Sequence, residues 1–168
     1  MRLRDLLTPR ILKEINLGLM LESAKQVGGA ELRKRTRARA KMVPDERLQE
    51  LLDEIPDVDR PRAASAWSHW MALVATRQPF FDANHRTALV AFNRATTQTW
   101  GTEFGLDAAD LEAMMLGSRK LVKQTHRPGA DAPRIASVKA LRKPEHPVRR
   151  FYARFEGKLE EQSVDGQP

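Results

Sequence analysis

At 168 residues, with 41% apolar and 30% charged, the chain suits one folded domain with a buried core and is too short to suggest two. The absence of cysteine excludes disulfides, thiolate metal sites and cysteine nucleophiles, while 29 Lys and Arg against 22 Asp and Glu leave a net charge of +7, which attracts anionic partners and equally serves solubility. No apolar run approaches the roughly 20 residues that cross a bilayer, and charges at Arg2, Arg4, Asp5, Arg10, Lys13 and Glu14 interrupt any apolar leader, so a cytoplasmic protein without a membrane partner is expected.

Helical signals dominate in chain order. Thr8-Pro9 reads as an N-cap followed by proline in the first turn, with Ile11, Leu12, Ile15 and Leu19 at helical spacing and a stop at Gly28-Gly29. A second helix is expected from Pro44, carrying Leu48, Leu51, Leu52 and Ile55 on one face and ending before Pro56. The third starts near Asp59–Pro61 and aligns Trp67, Trp70, Met71 and Val74. After a break at Gln78–Asn84, a fourth runs from about His85 to Trp100, with Ala88, Leu89 and Phe92 as its core stripe and Gly101 as its stop. Thr102–Leu106 reads as extended. Asp107 then caps a fifth helix, with Asp110 in its first turn and a Leu106–Leu111 staple across the cap. Residues 127–133 read as a loop, and Val148, Phe151, Phe155 and Leu159 as one more amphipathic helix before a mobile tail from Gln162. The expected fold is therefore mainly α, as a domain over 1–127 with a C-terminal extension over 128–168.

The segment with chemical content is Gln78-Pro79-Phe80-Phe81-Asp82-Ala83-Asn84-His85-Arg86-Thr87-Ala88-Leu89. It feeds a helix N-terminus, whose unpaired N–H groups favour an anion. Asn84 is a good capping residue. Arg86 in the first turn can offer a planar fork of donors to phosphate oxygens. Asp82 supplies a hard carboxylate oxygen of the kind that binds Mg²⁺ together with phosphates.

The same string resembles the signature of the Fic/Doc family. Phe80, Asp82, Ala83, Asn84, Arg86, Thr87, Ala88 and Leu89 match the Doc form, H-x-F-x-D-A-N-K-R-T-A-L, and the resemblance covers roughly residues 8–125. It implies a helical domain with a small β-hairpin flap. It also implies Mg²⁺ and ATP or another nucleotide at the loop, and transfer of a phosphate or nucleotidyl group to a protein hydroxyl. Doc-like members act on the translation machinery as toxins held by an antitoxin. By this resemblance Asp82 would hold the metal, and Ala83, Asn84 and Arg86 the phosphates. His85 takes the place of a phosphate-facing lysine. The family's catalytic histidine falls on Gln78, whose amide can orient a hydroxyl but cannot take its proton at neutral pH.

Of the remaining histidines, His85 is the candidate to replace that base. His69 lies nine residues before Gln78, about 13 Å along a helix axis, and reads as a surface residue, as do His126 and His146, which lie outside the motif. The stretch Arg33–Lys41 holds six cations and no acid, without aromatic residues among them; it reads as a solvated loop or helix face, or as a contact for nucleic acid or an acidic partner. Three functions stay open: a Doc-like transferase with altered chemistry, a Fic/Doc pseudoenzyme that binds nucleotide or protein, and a basic nucleic-acid-binding protein.

Overall fold

The computed structural model describes residues 3–55, 59–125 and 141–164. The expected loop at 127–133 and His126 lie outside these residues. Seven α-helices are described: α1 (Pro9–Val27), α2 (Ala30–Lys41), α3 (Asp45–Leu52), α4 (Ala63–Arg77), α5 (Asn84–Trp100), α6 (Ala108–Thr125) and α7 (Pro147–Ala153). Two short strands, β1 (Thr102–Gly105) and β2 (Glu160–Ser163), pair antiparallel. The mainly α fold with one small strand pair is what the periodicity and the resemblance lead one to expect. None of the described helices is long and apolar enough to cross a membrane.

Local chemistry sets most of the boundaries. Thr8 is extended, and its Oγ1 accepts from the Ile11 N–H at 3.2 Å while Pro9 opens α1. Pro44 occupies the N-cap of α3, which buries Leu48, Leu51 and Leu52. Asp107 Oδ1 accepts from the Asp110 N–H at 2.7 Å ahead of α6. Gly101 ends α5 in the left-handed region, at φ 65°, and donates its N–H to the Thr97 carbonyl at 2.9 Å. The basic run, which periodicity leaves open between loop and helix, is α2, folded back on α1 across Gly28-Gly29.

At the centre lies α4, with 12 of its 15 residues buried. Its Ala, Ser and Thr positions let neighbours approach closely, while Trp67, Trp70, Met71, Leu73 and Val74 fill the space between them. Against it pack α5, α6 and α7. A second group forms around α1, which contacts α2, α3 and α5. Burial on every side of α4 corrects one expectation: His69 is not a surface residue but is only 8% exposed, and burial pushes its imidazole pKa down to about 4, with the Arg149 charge adding to the effect.

The C-terminal residues belong to the same core as the rest. Leu141, Val148, Tyr152 and Phe155 are buried in it, and the Tyr152 ring meets Trp67 edge-on at 6.4 Å. The expected helix through Leu159 stops at Ala153, and a single tight turn at Glu156–Lys158 leads into β2. Gln162 and Ser163, expected in the tail, pair with Glu103 and Thr102.

Candidate functional site

The loop between α4 and α5 is braced from three sides. At its start, Gln78 is the C-cap of α4, with φ 40° and ψ 62°, and donates its N–H to the Val74 carbonyl at 2.9 Å. Arg47 of α3 donates Nη2 to the carbonyls of Arg77 at 2.5 Å and Gln78 at 3.2 Å, which places a cation on the negative end of α4. Pro79 and Phe80 are buried beneath. At the other end, Trp70 Nε1 donates to the Ala88 carbonyl at 3.0 Å and ties α5 to α4. The third brace comes from α1, where buried Asn16 donates Nδ2 to the Asp82 carbonyl at 2.9 Å and to Thr87 Oγ1 at 3.0 Å.

Inside the loop the motif residues divide by role. Asn84 is the first residue of α5, and the N-cap is Ala83, in the left-handed region at φ 58°. The Asn84 side chain turns back on the loop, accepting from the Phe80 N–H and donating to the Phe80 carbonyl, both at 3.0 Å. That pairing copies a rung of a β-ladder and fixes the loop's width. The N-cap residue of α5 gives no side-chain hydrogen bond to its first turn, which begins beside the loop. Asp82 is exposed, and its Oδ1 accepts from the Ala83 N–H at 2.6 Å. Arg86 is exposed as well, held by one long bond of 3.3 Å to Ser23 Oγ. Gln78 is exposed at the loop's entrance.

His85 points elsewhere. Its Nε2 lies 2.7 Å from Ser118 Oγ and 3.0 Å from Tyr152 OH, and these two oxygens are 2.7 Å apart. Ser118 and Tyr152 are both fully buried between α6 and α7. Burial, reinforced by Arg119, pushes the His85 pKa down to about 4, so the ring is neutral at pH 7. Burial also raises the Tyr152 phenol above its usual range, which keeps it protonated as a donor in this triangle. The motif imidazole is therefore half-buried, with its Nε2 occupied.

Sequence reasoning misses the outer wall of the site. Asp82 and Phe81 line a cavity of about 140 Å³ together with Arg35, Thr36 and Arg39 of α2, and Asn16 closes its floor. The Arg39 guanidinium lies 5.6 Å from the centroid of the Phe81 ring, which is 62% exposed. One signal in the sequence does mark Asn16: it is a polar residue set among Leu12, Ile15 and Leu19 on the buried stripe of α1. A cavity near 150 Å³ accepts a group about the size of benzene, whereas whole small-molecule sites span roughly 300–1,000 Å³. This one is lined on its other sides by Leu17, Met20, Leu32 and Val43, so it takes one small group and leaves anything larger outside over Phe81.

Mg²⁺ fits only in a shared arrangement. Among the described residues no group of three or more His, Asp or Glu comes together, so Asp82 would hold the ion with phosphate oxygens and water as its other ligands. Comparison of the chain with protein-family models, with curated proteins and with solved structures finds no match.

Proposed function

We propose that this is a Fic/Doc-like protein whose Gln78–Arg86 loop binds a phosphate-bearing ligand such as ATP with Mg²⁺, and that it works as a binding module without base-driven transfer. The observation that carries the reading is the placement of His85. The motif's one imidazole is turned into the Ser118–Tyr152 triangle, and Gln78 at the loop entrance offers an amide where the family has a base. A positioned general base contributes about 10²–10⁴ in rate, and its absence removes the step that activates a protein hydroxyl. What remains serves binding: the start of α5 without a side-chain cap, the loosely held Arg86, the Asp82 carboxylate, and Arg35 and Arg39 along the cavity. Mg²⁺ held by Asp82 would neutralise phosphate charge in such a complex.

Two measurements test this together. Calorimetry with ATP and Mg²⁺ gives saturable binding, and Arg86→Ala weakens it by about 1.5–3 kcal/mol, the scale of a hydrogen bond to a charged group. In a mass-shift assay on lysate with ATP and Mg²⁺, the natural chain stays at background, while Gln78→His raises transfer by about 10²-fold or more. Equal ATP affinity in Arg86→Ala and the natural chain rejects the phosphate site. Robust transfer by the natural chain, abolished by Asp82→Ala, restores the transferase reading.

A further inference from the structure

The cations of α2 separate into two faces. Arg35 and Arg39 line the cavity, and Arg35 is paired with Glu31 at 3.3 Å. At about 100° per residue, Arg33, Lys34, Arg37 and Lys41 share an arc of about 100° on the opposite side of the helix. Lys34, Arg37 and Lys41 are exposed and Arg33 is half-buried, and the four line one shallow groove with Ala30 and Ala38. None of the four has an acidic partner among the described residues, whereas nearby Arg10 is paired with Glu14 and Lys13 with Asp45. Only Thr36 of the 12 residues of α2 is buried, so the helix stands out on α1 with this face toward solvent.

We propose that this face of α2 docks the phosphate backbone of double-helical nucleic acid without reading its sequence. From Arg33 to Lys41 the arc rises through eight residue steps, about 12 Å of helix at 1.5 Å per residue. Over that length a duplex presents about seven phosphates at one per 1.7 Å, enough to meet all four cations. Lys and Arg are the side chains that most often contact phosphate, and the arc holds no Asn or Gln to read adenine and no acid to read cytosine, so backbone contact outweighs base readout. It holds no aromatic ring for stacking, which sets a duplex above a single strand. Nor does it hold an apolar side chain larger than alanine, so it lacks what an interfacial helix buries in a bilayer.

Fluorescence anisotropy with a labelled 20-base-pair DNA duplex and the full chain tests the surface. Four phosphate contacts give a log–log salt slope of about −3.6, and affinity falls about 150-fold between 50 and 200 mM NaCl. Replacing Arg33, Lys34, Arg37 and Lys41 together by Gln flattens that slope and weakens binding at 50 mM by roughly 50-fold or more. A control that removes the same charge elsewhere, Lys120, Lys143, Arg150 and Arg154 to Gln, weakens it by less than about 5-fold. Arg37→Glu alone, which keeps the rest of the helix, weakens it by about 10-fold or more and serves if the quadruple variant misfolds. Equal losses in the α2 variant and the control overturn the proposal, because net charge alone then explains the binding. So does the lack of saturable binding to duplex below about 100 µM. Tighter binding of the same face to poly-glutamate, single-stranded DNA or phosphatidylserine vesicles than to duplex overturns it as well. Arg35 and Arg39 are untouched in every variant, so ATP binding at the loop is an independent readout.

Discussion

Gln78 and Ala83 are the two non-glycine residues with positive φ among the described residues, and they stand at the two ends of the loop. A side chain in the left-handed region costs about 1–2 kcal/mol relative to helix, and the cost is met at both positions by neighbours that hold the backbone there. At Gln78 those neighbours are Arg47, on the carbonyls, and the N–H bond to Val74. Because glycine adopts this conformation freely but loses more chain entropy on folding, Gln78→Gly has a net effect of about 0.5–1 kcal/mol in favour of the folded state. A higher urea midpoint with an unchanged slope is the expected result. A lower midpoint means that the Gln78 side chain contributes a contact that outweighs its backbone strain.

At the scale of the elements, the loop's shape depends on helices remote from it in sequence, and Asn84 is where that dependence can be probed. Asn84→Ala leaves the Phe80 N–H and carbonyl without their partners, at a cost of about 1–3 kcal/mol in stability. Faster amide exchange over residues 79–83 is expected to accompany it. An unchanged stability with loss of ATP binding alone makes Asn84 a direct phosphate ligand instead of a brace. Much of this region was legible in the sequence. The α4–loop–α5 order follows from apolar spacing at Trp67, Trp70, Ala88 and Phe92, and the stop at Gly101 follows from glycine chemistry. The position of Asp82 and Arg86 beside the start of α5 was legible too, whereas Asn84, expected as its cap, turns back on Phe80 and leaves Ala83 at the N-cap. The orientation of His85 was not, because it is set by Ser118 and Tyr152, 33 and 67 residues further on. The wall of Arg35 and Arg39 stayed hidden for a related reason: Arg33–Lys41 has no apolar stripe, and its helix is recognised only once α1 supplies the surface it covers. His69 was misplaced because spacing assigns α4 one buried face, whereas this helix is buried all round.

For the whole molecule, two neutral imidazoles, buried His69 and half-buried His85, make stability depend on pH. His69 and His85 both titrate at about 4 in the folded chain, against an ordinary value near 6.5. Below about pH 6.5 the unfolded chain binds protons that the folded chain refuses. Stability is therefore full above pH 7 and declines as pH falls through 6.5 toward 4. Urea midpoints measured between pH 7.5 and 5 should fall steadily, and replacing either histidine by Gln should make that fall shallower even where it lowers the midpoint overall. A flat profile over this range places both rings in contact with water.

The pairing of β1 with β2 has a consequence for synthesis. Thr102–Gly105 meets Glu160–Ser163, a partner made more than fifty residues later, and the Val164 N–H closes on the Gly101 carbonyl at 2.9 Å. At about 5–20 residues per second, a nascent chain waits roughly 3–10 s with β1 unpaired and the junction of α5 and α6 open at its edge. The strand that arrives is Glu-Glu-Gln-Ser with every side chain exposed. Once in place it turns a charged rim outward and discourages a third strand from joining. The later-made strand is thus the one that covers an edge of β1 and presents charge in its place.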